Sequence, residues 1–329
     1  MSSKSLPWRI RVPLFIFSTA VAACCRKNYT INRRIWNFFD AKSPPSETPR
    51  DGVKTSDIII DATRNLWLRL YIPTSTTTMP VVIYMHGGGF SFFTADTMAC
   101  EISCRRLASE LNAIIISISY RLAPEFKFPC QYEDCFDALK FIDANLGDIL
   151  PPFADQNMCF LIGDSAGRNL IHHTAVKASG SGFLRLKVIG LISIQPFFGG
   201  EERTESETRL AGAPVLNVEL TDWFWKAFLS DGSDRDHPLC NVFGPNSNDI
   251  SDVNLPAMLL VIGGFDILQD WQRKYHEWMR KAGKEVNLVE FPNAFHGFWG
   301  FPDLPEYPLF IEEVKDFMQK QSAKRHFLF

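Results

Sequence analysis

Short, almost uninterrupted apolar runs separated by amphipathic stretches constrain this chain more than any other feature. The runs span residues 81–85, 113–119, 158–162, 188–194, 257–262 and 286–291. Strands look like this when helices cover both faces of a sheet, so that neither side-chain direction meets water. Between the runs, apolar residues fall at helical spacing, as with Leu268, Trp271, Tyr275, Trp278 and Met279. This alternation predicts an α/β fold with a mainly parallel central sheet flanked by helices. Two earlier strands, 57–61 and 66–72, are expected on either side of a turn at Thr63-Arg64-Asn65. Ligands bind at the carboxyl ends of strands in such sheets, which makes those ends the first place to look for chemistry.

Four strand ends carry residues suited to acyl transfer. Gly163-Asp164-Ser165-Ala166-Gly167 follows the run 158–162 and precedes a helix-like stretch, 169–178. A strand–turn–helix with this G-x-S-x-G pattern is a nucleophile elbow: the glycines allow a sharp turn, and the serine hydroxyl stands at the head of a helix. The amide of Ala166 can then donate to a developing oxyanion. His86-Gly87-Gly88-Gly89-Phe90 closes the run 81–85. Consecutive glycines have little packing value, but they let backbone amides approach a substrate oxygen closely, so Gly87, Gly88 and Gly89 are expected to supply further oxyanion donors. His86 is expected to hold the loop.

A serine hydroxyl needs a base. Of seven histidines, His296 follows the last apolar run in a turn, Asn293-Ala294-Phe295-His296-Gly297-Phe298. His172 and His173 lie on the helix after Ser165 and point away from the elbow, and His237 falls in a polar loop. The acid that orients the base should lie between serine and histidine in the chain. Asp266 closes the run 257–262 at a strand end, whereas its competitor Asp270 falls inside the next helix.

Bulk properties set limits. A net charge of −3 gives no reason to expect nucleic acid or an anionic membrane as a partner. Eight cysteines are scattered in a chain large enough to fold without staples. Cys100 and Cys104 lack the second pair or His cluster that a zinc site needs, so no metal or organic cofactor is expected. At the N-terminus, Arg9 and Arg11 precede an apolar stretch, 12–25, containing Ala20-Val21-Ala22. That stretch reads either as a secretory leader, for which Asn28-Tyr29-Thr30 would be a glycosylation sequon, or as an amphipathic helix packed on the body. It is too short for a membrane span. The Pro- and Ser-containing stretch 41–56 reads as a linker, which divides the chain into an arm and linker, 1–50, and a main domain, 51–329.

Taken together, His86-Gly87-Gly88-Gly89, Gly163-Asp164-Ser165-Ala166-Gly167 and Tyr120-Arg121-Leu122-Ala123-Pro124-Glu125 resemble the hormone-sensitive-lipase group of α/β-hydrolases. Asp222-Trp223-Phe224-Trp225-Lys226, Asp236-His237-Pro238 and Ile31-Asn32-Arg33-Arg34 are similar to the plant carboxylesterases related to the gibberellin receptor. The resemblance implies a serine carboxylesterase, with Ser165, Asp266 and His296 catalytic and a small or medium ester, such as a plant metabolite, as substrate. It also implies a helical lid over residues 6–40, with Trp36 and Phe39 as lid contacts, Trp223 and Phe224 in a cap helix, and Phe90 and Phe298 near the pocket. The location it implies is the cytoplasm or nucleus. Alternatives on the same fold are an eliminase or cyclase using His296 as base, and a hormone receptor. The receptor branch lacks the triad histidine, which is present here. One departure stands out: the family's elbow usually continues with a second glycine, where this chain has Arg168. A buried guanidinium needs a partner, so Arg168 is expected to meet an anion or to reach the surface or the pocket.

Overall fold

The computed structural model describes residues 6–75, 77–213 and 215–326, excluding the side chains of 325 and 326. The first five residues of the expected arm, and the last three of the expected main domain, lie outside the described residues. Among those described, the strands form one eight-stranded sheet in the order β1-β2-β4-β3-β5-β6-β7-β8. They are β1 (Val53–Asp61), β2 (Leu66–Pro73), β3 (Met79–Met85), β4 (Ile114–Ser119), β5 (Ala154–Asp164), β6 (Val188–Ile194), β7 (Ala257–Phe265) and β8 (Val286–Phe295). The pairs β1–β2 and β2–β4 are antiparallel, and all later neighbours are parallel. Each apolar run of the sequence is a strand, and several strands extend beyond their run into polar residues.

Alternation along the strands feeds two cores. On β3, Val81, Ile83 and Met85 face one core while Val82 and Tyr84 face the other. The same division holds on β5 for Cys159 and Leu161 against Phe160 and Ile162, and on β7 for Met258 and Leu260 against Leu259 and Val261. The first core is covered by α4 (Cys130–Ile149), α5 (Ala166–Ser179) and α8 (Gln269–Lys281), the second by α3 (Met98–Leu111) and α9 (Glu306–His326). This is the double cover that makes a parallel strand apolar in both directions. The edge strand β1 alternates instead between buried and exposed residues.

The N-terminal stretch folds as α1 (Trp8–Cys24) and α2 (Arg33–Phe39). Ala20, Val21, Cys24 and Trp36 join the first core, and Ile10 and Leu14 the second. Between β6 and β7 lie α6 (Glu205–Arg209) and α7 (Val218–Phe228). The stretch 41–56, expected as a linker, is tied to the body. Ser43 N donates to Asp96 O at 2.9 Å, Arg69 Nη1 donates to Ser43 O at 2.8 Å, and Ser46 N donates to Thr55 Oγ1 at 2.8 Å.

Burial rather than apolarity decides the weight of a strand residue. Leu161 is buried in the first core and Ile59 is exposed on β1. In urea unfolding, Leu161→Ala is expected to lose about 2–5 kcal/mol through lost transfer energy and a residual cavity. Ile59→Ala is expected to stay within about 0.5 kcal/mol of the parent.

Candidate active site

The turn from β5 into α5 is tight because glycine permits it. A Cβ on Gly163 would lie 2.8 Å from the Gly167 carbonyl carbon, and one on Gly167 only 1.9 Å from Met85 O. Ser165 sits between them at φ 51° and ψ −120°, a conformation rarely adopted by a residue with a side chain. The neighbouring chain fixes it: Ser165 N donates to Ile194 O at 2.9 Å, and Ser165 O accepts from Phe197 N at 3.1 Å.

The loops after β7 and β8 bring two more groups to this turn. Ser165 Oγ lies 3.0 Å from His296 Nε2, and His296 Nδ1 lies 2.8 Å from Asp266 Oδ2. A carboxylate only accepts, so Nδ1 carries the ring proton and Nε2 is left to accept from the serine hydroxyl. Asp266 is fully buried, and its Oδ1 accepts from Leu268 N at 2.9 Å. Its Oδ2 also accepts from Gln272 Nε2 at 2.9 Å and Gln195 Nε2 at 3.2 Å. Burial pulls the His296 imidazolium down, but the charge and hydrogen bond of Asp266, with the charge of Asp164, outweigh it and raise its pKa.

The competing residues are occupied elsewhere. Asp270 accepts from Ser206 N at 2.8 Å and meets Arg273 at 3.4 Å. His172 lies beside Tyr275 OH at 3.0 Å and His173 packs edge-on against Tyr132. Burial pushes both imidazoles down, His173 to about 3. His237 stands against Phe128. His86 is buried, stacks on Tyr120 at 4.3 Å, and donates from Nδ1 to Gly87 O at 2.9 Å, while Tyr120 OH donates to His86 O at 2.7 Å. Burial lowers the His86 pKa to about 4, which keeps a loop-holding role and removes it as a charged group.

The glycine loop corrects one expectation. Gly87 N already donates to Asp164 Oδ1 at 3.0 Å, an oxygen that also accepts from Tyr84 OH at 2.7 Å. Its amide is therefore engaged and is not a free donor. The amides of Gly88, Gly89 and Ala166 have no acceptor among the described residues. Gly88 and Gly89 lie at φ 101° and 60°, and a Cβ on Gly89 would meet the Phe224 ring at 2.4 Å.

Above Ser165 opens a cavity of about 380 Å³. Its walls come from α1 (Pro13, Leu14 and Phe17), from α7 (Leu220 and Phe224) and from the loop after β8 (Trp299 and Phe301). No Lys or Arg is among the described lining residues, and Asp164 contributes a carboxylate whose pKa is raised by burial against the opposing Tyr84 and Gly87 hydrogen bonds.

Of the aromatics expected at the pocket, only Phe224 lines it. Trp36 lies behind the wall, 4.4 Å from the Phe92 ring, and Phe17 takes the lid position instead. Phe39 is turned outward against Phe38. Phe90 is fully buried, stacked on Phe228 at 3.9 Å, because its positive φ of 61° turns the side chain away from the cavity into the core. Trp223 Nε1 donates to Arg26 O at 2.8 Å and so ties the cap to the arm. Phe298 packs between Phe291 and Phe310. Sequence reasoning missed Leu14, Phe17 and Gln195. Ile10, Leu14, Phe17 and Val21 do follow helical spacing, and Gln195 is a polar residue at a strand end directly after an apolar run.

A profile of the alpha/beta hydrolase fold matches residues 82–300. The chain belongs to the α/β-hydrolase family. Within that family, the gibberellin receptor GID1C of Arabidopsis thaliana is 37% identical over 97% of this chain and 96% of the receptor. Carboxylesterase 20 of the same plant is 36% identical over 78% of this chain and 83% of its own. Among solved structures, the hyperthermophilic esterase of the archaeon Pyrobaculum calidifontis superposes with a TM-score of 0.76 at 26% identity, covering 94% of this chain and 98% of that one.

Arg168 meets none of the environments expected for it in an α/β-hydrolase. It is fully buried, does not line the cavity and has no carboxylate partner among the described residues. Its Nε donates to Ser193 Oγ at 2.6 Å and its Nη2 to Tyr275 OH at 2.9 Å, while Nη1 has no partner among the described residues. The guanidinium carbon lies 5.6 Å from the Tyr275 ring centroid. Burial pulls its pKa down, only partly opposed by Tyr275. A buried charge held by hydroxyls gains little over an apolar side chain of similar length. Arg168→Met is therefore expected to leave the urea midpoint unchanged or raise it. Tyr275→Phe, which strips an acceptor from the buried cation, is expected to lose about 1–3 kcal/mol in the same measurement.

Proposed function

We infer that this protein is a serine carboxylesterase acting on neutral, largely apolar esters of small to medium size. The observation that carries the reading is the continuous hydrogen-bonded series Ser165–His296–Asp266 at the floor of the apolar cavity. His296 takes the proton from Ser165 as Oγ attacks the ester carbonyl carbon, and Asp266 stabilises the imidazolium that forms. The amides of Gly88, Gly89 and Ala166 hold the oxyanion. The tetrahedral adduct collapses, the C–O bond to the alcohol breaks, and the alkoxide leaves with the proton from His296. Water, deprotonated by the same base, then attacks the acyl-enzyme and releases the acid. The cavity volume suits a compact ligand, and the absence of a lining cation disfavours one that carries a carboxylate. Cytoplasm or nucleus is the location that goes with this reading: Cys24, Cys104 and Cys135 are buried thiols, and α1 serves as a packed arm. Among the described residues no helix is long and apolar enough to cross a membrane.

A receptor role has its own supporting observations. The similarity to the gibberellin receptors spans nearly the whole chain, and the arm closes over the cavity while presenting Trp8 and Phe15 to solvent. Against it stand His296 in hydrogen-bond reach of Ser165 and a cavity wall that carries no Lys or Arg among its described residues, since gibberellins are carboxylic acids.

The deciding experiment is hydrolysis of p-nitrophenyl acetate and butyrate by the parent and Ser165→Ala, with organophosphate labelling mapped by mass spectrometry. The expected result is turnover lowered by on the order of 10⁶ in the mutant, with the parent labelled on Ser165. A folded parent that neither turns over nor labels, yet binds a gibberellin in a way that survives Ser165→Ala, would establish the receptor reading instead. The pH dependence has a definite sign. His296 must be neutral to accept the proton, and its pKa is raised, so kcat/KM is expected to fall as pH drops through a value above the ordinary imidazole figure of about 6.5. In Asp266→Asn the limb moves to lower pH and kcat falls by about 10⁴.

A further inference from the structure

Gln195 stands at the end of β6, buried, at φ 44°. Its backbone N donates to Val261 O at 2.9 Å. The side-chain amide uses both its donors and its acceptor on three groups. Nε2 donates to Asp266 Oδ2 at 3.2 Å and to Phe295 O at 3.0 Å, and Oε1 accepts from Gly297 N at 2.8 Å. Only one orientation of the amide satisfies these contacts, because a carboxylate and a carbonyl can only accept and an N–H can only donate. Phe295 and Gly297 are the two neighbours of His296 in the chain. The amide therefore grips the backbone on both sides of His296 and at the same time holds the carboxylate that His296 faces.

We propose that Gln195 is a positioning residue that sets the register between Asp266 and the His296 loop, and through it the distance from His296 to Ser165. The proposal rests on the esterase reading above for its kinetic consequence, and on geometry alone for its structural one. Without Gln195, the loop after β8 keeps the Phe265–Phe295 pairing on one side of His296, while the Gly297 amide loses its acceptor. Gly297 itself has φ 83°, a freely accessible conformation for glycine, so the peptide after His296 is held by Gln195 rather than by its own stiffness. The positive φ of Gln195 is strain of the kind that persists where the surrounding structure requires it. Gln272 offers a built-in comparison. It is buried, also donates from Nε2 to Asp266 Oδ2, at 2.9 Å, and makes no hydrogen bond to the His296 loop.

The test compares Gln195→Met with Gln272→Met in the full chain, with Met close to Gln in length and volume. For Gln195→Met, kcat on p-nitrophenyl butyrate is expected to fall roughly 30- to 100-fold, the scale of a misplaced catalytic group, with KM within about twofold. The loss for Gln272→Met is expected to be at least tenfold smaller. The second readout is the downfield proton resonance of the His296–Asp266 hydrogen bond, expected sharp in the parent and in Gln272→Met and broadened or absent in Gln195→Met. Equal kcat losses in the two variants, or a resonance unchanged in a folded Gln195→Met, would overturn the proposal. A parent inactive on esters and unlabelled at Ser165 would count against the esterase reading alone. The resonance would then still decide whether Gln195 sets the His296–Asp266 register. Should Gln195→Met fail to fold, Gln195→Asn, which keeps the amide but shortens its reach, is expected to show the same loss of resonance and of kcat.

Discussion

The site depends on one close approach, that of the α5 N-terminus to the carboxyl end of β3. Gly167 lies against the Met85 and His86 carbonyls at a distance that no side chain could share. This contact forces β5 to turn into α5 within a single residue, and that residue, Ser165, takes a strained conformation of a kind that costs about 1–3 kcal/mol. The surrounding hydrogen bonds to Ile194 and Phe197 hold it there. The same approach places Asp164 under the glycine loop, where it binds the Gly87 amide and the Tyr84 hydroxyl. The serine turn and the glycine loop are thus two sides of one packing contact, and the loop is held by a carboxylate from the turn itself.

The second constraint is the burial of Asp266. An ionised carboxylate out of water must be saturated with hydrogen bonds, and this one receives them from Leu268, Gln195, Gln272 and His296. Its donors come from three segments that the fold makes adjacent: the residue after β6 supplies Gln195, the start of α8 supplies Leu268 and Gln272, and the loop after β8 supplies His296. The parallel neighbours β6, β7 and β8 deliver all of these at one end of the sheet. Desolvating the acid is therefore what binds the three loops into a single unit.

What the sequence revealed follows from what each element must satisfy. The central strands were legible because double burial writes an apolar run into every one of them, and polar residues directly after those runs had to lie at the strand ends. Ser165 and His296, 131 residues apart, meet for that reason, as do His296 and Asp266, 30 apart. The cavity walls were not legible. In a chain with 28 phenylalanines, aromatics near a motif serve the core as readily as a pocket, and a local backbone feature decides which. The positive φ of Phe90 sends it into the core although it follows the glycine loop directly. Arg168 shows the opposite failure. A charge after the elbow suggested an anion, the surface or the pocket, but two hydroxyls and an aromatic face hold it inside, with Nη1 left without a partner among the described residues.

The arm, too, is joined to the glycine loop. Arg33, at the start of α2, donates to Ser91 O and Ala123 O, both at 2.7 Å, and pairs with Glu125. The exposed ion pair adds little, but the two carbonyls belong to the segment after the glycine loop and to the segment that carries Tyr120, the stacking partner of His86. Phe92 and Phe93, which continue the glycine loop, pack against Trp36 and Phe17 of the arm. Burying an aromatic side chain contributes about 1.5–3 kcal/mol, so the apolar seam outweighs the ion pair as the force that closes the arm. Because that seam is made of residues contiguous with Gly88 and Gly89, the cover of the cavity and the geometry of the glycine-loop amides are set by the same contacts.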